Sequence, residues 1–182
     1  MLILKDFNHR INKHVGNGSI SDKMLKIFQL NFNDQDFRMA SLEKAISLAA
    51  QQHEGQFDKG GHPYILHPLR LMMQMHDVQT QIVAVLHDVL EDTTTTAKDL
   101  EQLGFSAVII QAIQALTKLE GESRFEAAYR AAQNPIARRV KLADVTDNMD
   151  LSRISQPCEA DYKRLEQYQK VKEILTASLI QE

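Results

Sequence analysis

Apolar residues recur with helical spacing along most of the chain. After Ser41, the positions i, i+3, i+4 and i+7 of the first strongly periodic segment are filled by Leu42, Ala45, Ile46 and Ala49. This spacing places the side chains on one face of an α-helix. Because the alternation typical of half-buried strands is nearly absent, the pattern predicts an all-α protein.

Helix breakers divide this pattern into separate elements. Gly55, Gly60 and Gly61 predict a loop, after which Pro68 suits the first turn of a second helix. A third helix is predicted through Leu90, and its run of residues 82–90 is apolar on nearly all sides, as in a central helix. Further helices are predicted from about 97 to Gly104, from Ser106 onward, near 123–132, from Asn134-Pro135 to about Met149, and over 159–179.

The first 38 residues differ from the remainder and predict an N-terminal extension, with one domain over residues 39–182. Asn17-Gly18-Ser19 is typical of a turn, and Ser21-Asp22 can cap a short helix. Met39 stands directly before the first strongly periodic segment, so the sequence is compatible with a natural start there and with a longer working protein. A chain of 182 residues is long enough for one well-buried domain.

Composition narrows the class of protein. The chain is 43% hydrophobic and 25% charged, with a net charge of −3 and no basic stripe, so we expect no nucleic-acid partner. The single Cys158 excludes an internal disulfide and fits a reducing compartment. No signal-like start and no apolar run of ~20 residues is present, so we expect a cytoplasmic protein without a membrane span. The C-terminal helix could pack internally or across a dimer, and the sequence leaves both open.

One short run carries the strongest chemical signal. His87 and Asp88 stand side by side at the end of the central apolar run. Charged groups are costly inside a core unless they are paired or bound to metal. Glu91 and Asp92 follow four residues after His87 and Asp88, so each pair shares a helix face. An acid at this distance can orient or deprotonate a metal-bound water.

His67 and Asp144 complete a candidate ligand set. Two imidazoles and two carboxylates suit manganese, iron or zinc better than calcium. Spacing alone does not establish that the four groups meet, and Asp144 could equally be a surface charge beside Lys141. Asn148 lies one helical turn after Asp144 and offers a neutral hydrogen-bonding group. His53 continues the apolar face of the first helix, which favours a buried structural role.

Three ordered motifs resemble the hydrolase half of RelA/SpoT proteins and the free-standing small alarmone hydrolases of the HD superfamily. The resemblance covers roughly residues 42 to 175. It implies an all-α, single HD-type domain with a metal site between helices. One divalent ion, usually manganese, would be held there by His67, His87, Asp88 and Asp144. The motifs are Tyr64-Ile65-Leu66-His67-Pro68, His87-Asp88-Val89-Leu90-Glu91-Asp92-Thr93, and Val140-Lys141-Leu142-Ala143-Asp144 followed by Asn148.

The resemblance also implies a reaction and its residues. Family members remove the 3′-pyrophosphate from guanosine tetra- or pentaphosphate, so the expected partner is a small nucleotide. Glu91 and Asp92 match the catalytic acids, while Lys59 and Asn148 match substrate-contacting positions. Such a reaction requires an activated water and neutralisation of phosphate charge, which a metal ion and nearby cations supply.

The chain departs from the family at the expected rim of the pocket. Asp58 stands where arginine is common before Lys59, and Val145 and Asp150 stand where a basic residue is frequent. Fewer cations weaken polyphosphate binding, so an adenosine alarmone or another 2′- or 3′-phosphorylated nucleotide stays open as the substrate.

Two other functions stay open beside the pyrophosphohydrolase. One is an HD phosphatase that releases a single phosphate from another nucleotide or from NADPH. The other is a non-catalytic nucleotide sensor. A degenerate sensor should lose ligands or catalytic acids, whereas this sequence has all of the matched residues, so the enzyme is favoured.

Overall fold

The computed structural model describes residues 40–177, so the predictions made for residues 1–39 and 178–182 lie outside it. Within this range the only β-type pairing is an isolated bridge between Phe57 and Pro63. The all-α prediction is confirmed, and the division at residue 38 stays a prediction. The helices are α1 (Leu42–Gln52), α2 (Leu66–Met73), α3 (Val78–Leu86), α4 (Val89–Asp92), α5 (Ala97–Gln102), α6 (Ala107–Leu116), α7 (Arg124–Ala132), α8 (Pro135–Asn148), a 3₁₀ helix (Leu151–Arg153) and α9 (Glu159–Ala177).

Most of these helices begin at a short polar side chain that accepts a hydrogen bond from the first turn. Such caps satisfy backbone N–H groups that have no partner within the helix. Asn134 caps α8 and is followed by Pro135 at its first position, as the sequence predicts. The other side-chain caps are Ser41 for α1, Asp77 for α3, Thr96 for α5, Ser106 for α6 and Ser123 for α7.

The predicted third helix is broken at its functional end. Helix α3 stops at Leu86, and α4 starts again after Asp88, whose carbonyl accepts from the backbone N–H groups of Glu91 and Asp92. At this break the His87 ring forms a hydrogen bond through Nδ1 to the Ala84 carbonyl, at 2.9 Å. The prediction of one continuous helix through Leu90 was therefore wrong.

Helix α3 lies at the centre of the fold and packs against α1, α2, α6 and α8. Its residues 82–86 are buried, which confirms the central position predicted from its apolar composition. A smaller apolar cluster joins α7, α8 and α9. It includes Val145, which is 1% exposed and packs with Val171 and Leu175. The prediction that Val145 lies at the rim of a pocket was wrong, because this side chain points into the core.

Arg130, in α7, connects this helix to the end of α6. Arg130 forms a two-pronged pair with Glu122, with Nε–Oε1 at 2.9 Å and Nη2–Oε2 at 2.7 Å. The same guanidinium donates to the carbonyls of Gln114, Ala115 and Thr117. The hydrogen bonds from Arg130 lower the pKa of Glu122 to about 2. Paired, multiply bonded arginines of this kind contribute more than ordinary surface ion pairs.

We expect Arg130→Met to lower the free energy of unfolding by about 2 kcal/mol near neutral pH, because several charge-assisted hydrogen bonds are lost. The pKa of Glu122 is lower in the folded protein than its ordinary value of 4.5. The contribution of the ionised Glu122 to the free energy of unfolding is thus complete above pH 4.5 and is lost as the pH falls toward about 2. Urea unfolding at a series of pH values measures both effects.

Arg139→Met is the matched control for this prediction. Arg139 is 60% exposed and pairs with the exposed Asp77 at 3.3 Å. Exposed pairs contribute at most about 1 kcal/mol, so this variant should unfold almost like the wild type. Equal losses in the two variants would contradict the anchoring role of Arg130.

None of the helices within residues 40–177 is long and apolar enough to cross a membrane.

Candidate metal centre

The fold brings the four predicted metal ligands together. His67 lies at the start of α2, His87 and Asp88 lie at the break between α3 and α4, and Asp144 lies in α8. Donor atoms of His67, His87 and Asp88 all lie within 4.8 Å of one another. Asp144 Oδ1 is 3.3 Å from His67 Nε2 and 4.0 Å from His87 Nε2. This convergence is what spacing alone left open.

The His87 ring is set up to donate an electron pair. Its Nδ1 lies 2.9 Å from the Ala84 carbonyl, which can only accept a hydrogen bond, so Nδ1 carries the proton of the neutral ring. Nε2 is buried and has no hydrogen-bond partner among the described residues. It lies 2.8 Å from Asp88 Oδ2. Two such atoms stay this close only with a proton or a metal ion between them, and their mixed nitrogen and oxygen chemistry suits a divalent metal ion.

The electrostatics of His67 lead to the same conclusion. Burial alone would lower the pKa of His67, but hydrogen bonds to Asp144 and Asp147 outweigh it and raise this pKa to about 9. The surrounding carboxylates therefore favour a positive charge at this point in the fold. A metal ion would supply that charge.

Tyr64 holds the predicted ligand Asp88, and His53 packs beside Tyr64. The Tyr64 hydroxyl donates to Asp88 Oδ2. Burial opposes ionisation of Asp88, yet the interactions with His87 and Tyr64 prevail and lower its pKa to about 2. His53 is 3% exposed, and its ring centroid lies 4.9 Å from that of Tyr64. The prediction that His53 is buried is confirmed.

Asp144 is held by two neighbours on its own helix. Lys141 Nζ lies 2.9 Å from Asp144 Oδ2, and the Asn148 amide donates to Oδ1 at 2.5 Å. Burial would raise the pKa of Asp144, but the Lys141 charge and the hydrogen bond from His67 hold it well below the ordinary value. Asp144 is only 6% exposed, so the alternative of a surface charge is wrong.

The two predicted catalytic acids lie at the open edge of this cluster. Glu91 and Asp92 are both exposed. Glu91 Oε2 accepts from the backbone N–H of Lys118 at 2.8 Å. Among the described residues the Asp92 carboxylate accepts no hydrogen bond. The Gln56 amide donates to the backbone carbonyl of Asp92 and not to its side chain. Partial burial and the charges of Asp88 and Glu91 raise the pKa of Asp92. Asp92 is therefore the acid that is better placed to take up a proton.

A cavity of about 260 Å³ opens beside the ligand cluster. It is lined by the predicted ligand His67 and by Asn148, which donates to the predicted ligand Asp144, so the cavity and the cluster are adjacent. The lining also includes Tyr168 and Arg124, whose guanidinium carbon lies 4.7 Å from the Tyr168 ring centroid. The predicted substrate contact Lys59 stands at the mouth and is 57% exposed.

Charges in this cavity are largely paired. Asp58 lies 3.5 Å from Arg153, and Asp161 lies 3.8 Å from Lys59 and 3.1 Å from Arg164. The cations that line the cavity are Lys59, Arg124, Arg153 and Arg164, and the acids are Asp58, Asp150 and Asp161. Asp58 stands in the loop where family members commonly have arginine. Arginines from α7, α9 and the 3₁₀ helix therefore supply the positive charge in this cavity.

The sequence reasoning gave no role to Tyr64 or Asp147. Tyr64 stands three residues before His67, within the first motif, and this position could have indicated that Tyr64 lies near the site. Asp147 Oδ2 lies 2.7 Å from His67 Nδ1, and both oxygens accept from Arg70. Burial opposes this charge, but the hydrogen bonds from Arg70 and His67 keep the pKa of Asp147 well below its usual range. Its spacing of three from Asp144, on one face of α8, was the signal for it.

Comparison with known proteins assigns the fold. Residues 45–166 match the family model described as HD domain, which is more than half of the chain. The chain belongs to the HD domain family. A solved structure described as a metazoan ortholog of SpoT that hydrolyses ppGpp superimposes on this HD domain with a TM-score of 0.62 and 24% identity. The alignment covers 77% of this chain and 85% of that one, and it supports the all-α HD fold.

Curated relatives of this HD domain are much longer proteins. The bifunctional (p)ppGpp synthase/hydrolase SpoT of Escherichia coli K12 is 36% identical over 122 residues, which are 59% of this chain and 17% of that protein. A guanosine-3′,5′-bis(diphosphate) 3′-pyrophosphohydrolase of Haemophilus influenzae is 38% identical over 116 residues, 56% of this chain and 17% of that protein. The HD domain therefore corresponds to one part of these relatives.

Proposed function

We propose that this HD domain is a metal-dependent pyrophosphohydrolase that removes the 3′-pyrophosphate from a (p)ppGpp-like or (p)ppApp-like nucleotide. The observation that carries this proposal is the buried His87 Nε2, which lies 2.8 Å from Asp88 Oδ2 and has no hydrogen-bond partner among the described residues. The relatives named for ppGpp hydrolysis support the choice of reaction. The cavity that shares His67 and Asn148 with this cluster supports a nucleotide as the substrate.

The residues divide into binding and proton-transfer roles. His67, His87, Asp88 and Asp144 would hold one divalent ion, for which we propose manganese, a metal suited to mixed nitrogen and oxygen donors. When bound, such an ion lowers the pKa of a coordinated water and stabilises charge on a phosphate. Asp92 takes up a proton at its free carboxylate, and Glu91, held by the Lys118 N–H, orients the attacking group.

The cavity supplies charge for the remainder of the nucleotide. Asn148 and Lys59, which both line it, are proposed substrate contacts. Arg124 has no carboxylate partner among residues 40–177 and is stacked on Tyr168, which leaves its N–H groups available to a phosphate.

The test is a substrate panel with product identification. Manganese-loaded protein is incubated with 3′-pyrophosphorylated guanosine and adenosine nucleotides, NADPH and simple nucleoside monophosphates, and the products are resolved by ion-exchange chromatography. We expect release of pyrophosphate from a 3′-pyrophosphorylated nucleotide and no reaction after treatment with a chelator.

Each alternative predicts a different product. Release of inorganic phosphate from NADPH or a monophosphate, without pyrophosphate, would replace the proposal by a phosphatase. Tight binding of the nucleotide without any turnover in manganese would replace it by a sensor. Full turnover in the presence of a chelator would refute the metal-dependent mechanism.

A further inference from the structure

Asp147 contacts the His67 ring at Nδ1, the nitrogen that does not face Asp144. Its Oδ2 lies 2.7 Å from His67 Nδ1, and its side chain is only 9% exposed. Because a carboxylate can only accept, the shorter contact with Asp147 keeps a proton on Nδ1. His67 Nε2, which lies 3.3 Å from Asp144, would then offer its lone pair when a metal ion takes the place of the second ring proton.

Asp147 is itself held in one orientation by two arginines. Arg70 donates from Nε to Oδ1 at 2.8 Å and from Nη2 to Oδ2 at 2.9 Å. Arg153 Nη2 lies 3.1 Å from Oδ2 and also donates to the Asp147 carbonyl. A carboxylate gripped in this way cannot rotate without breaking several charge-assisted hydrogen bonds. It is rigid enough to fix the ring that it contacts.

We propose that Asp147 is a positioning residue, which holds the His67 imidazole in the orientation and tautomer required for metal binding. This inference rests on the proposed metal centre. A carboxylate that accepts from the second nitrogen of a metal-bound imidazole fixes the ring and increases its basicity. Arg153 extends the same network to Asp58, at 3.5 Å, and so connects a wall of the cavity to a metal ligand.

The test is a direct measurement of manganese affinity by titration calorimetry, which does not depend on catalysis. We expect Asp147→Asn to weaken manganese binding by about 10- to 100-fold, the range for loss of such an outer carboxylate. Asp147→Glu keeps the charge and should recover part of the affinity. Arg70→Gln leaves the contacts of Asp147 with His67 and Arg153 but removes two of the hydrogen bonds that fix its carboxylate, so we expect a smaller loss.

Asp150→Asn is the matched control. It removes one negative charge three residues away, in an exposed side chain that caps the 3₁₀ helix and does not contact His67. Asp147→Asn should therefore lose much more affinity than Asp150→Asn. In protein loaded with diamagnetic zinc, nitrogen-detected NMR of the His67 ring adds a readout of the tautomer, and we expect the proton on Nδ1 in the wild type.

The outcomes separate this inference from the proposed function. If the wild type binds no metal, the metal centre itself is wrong. If the wild type binds manganese and Asp147→Asn binds it within twofold, or no more weakly than Asp150→Asn, the positioning role is overturned. A thermal unfolding curve for each variant accompanies the titration, and Arg70→Gln decides the question should Asp147→Asn not fold.

Discussion

We expect replacement of Asp88 by alanine to abolish both metal binding and release of pyrophosphate. Asp88 is the acid closest to His87 Nε2, at 2.8 Å, and the Tyr64 hydroxyl holds it in place. A metal ion contributes several kcal/mol to stabilisation of the transition state, and each 1.36 kcal/mol is tenfold in rate. The expected loss in turnover is therefore about 10³-fold or more. Pyrophosphate release and manganese titration measure the two effects separately.

Asp88→Asn distinguishes loss of charge from loss of shape. The amide has the same outline and can still accept from Tyr64, but it lacks the negative charge that a divalent ion requires. We expect it to be nearly as inactive as Asp88→Ala. Glu101→Gln removes one charge from an exposed position in α5 and should behave like the wild type. Retention of full turnover by both Asp88 variants would rule out the proposed centre.

The second large effect is expected at Asp92. Asp92→Asn should lower turnover by about 10²- to 10⁴-fold, the usual contribution of a general acid or base. Unlike Asp88, Asp92 is exposed at the edge of the cluster, so manganese affinity should change little. A fall in turnover with unchanged metal binding is the signature that separates proton transfer from metal coordination.

Glu91→Gln is the informative comparison for this prediction. The Glu91 side chain already accepts from the Lys118 N–H, and glutamine can keep that hydrogen bond through its carbonyl oxygen. We therefore expect a smaller loss of turnover than in Asp92→Asn. A larger loss in Glu91→Gln would exchange the roles that we propose for the two acids.

Much of the helical architecture could be predicted from local signals. Ser41, Ser106 and Ser123 stand directly before periodic segments, and all three accept from the first turn of a helix. The break after Leu86 could not be predicted in this way. Val89, beyond the break, is fully buried, so the apolar pattern continues across it.

Only part of the candidate site could be predicted from the sequence. His87 and Asp88 are adjacent in the sequence and are identified by their position after an apolar run. The contact between His67 and Asp147 joins residues 80 positions apart, and no spacing rule reports such a pair. Val145 was misplaced because adjacent residues of a helix point about 100° apart, so the neighbour of a site residue such as Asp144 can face the core.

The close approach of His87 Nε2 and Asp88 Oδ2 has a consequence for how this sequence can change. A buried imidazole and a half-buried carboxylate that face each other make the fold less stable than a well-packed apolar pair would. Substitutions toward hydrophobic residues at these two positions would therefore stabilise the helix junction while ending its capacity to bind a cation. Selection for thermal robustness alone would remove this pair, and only selection for its chemistry would retain it.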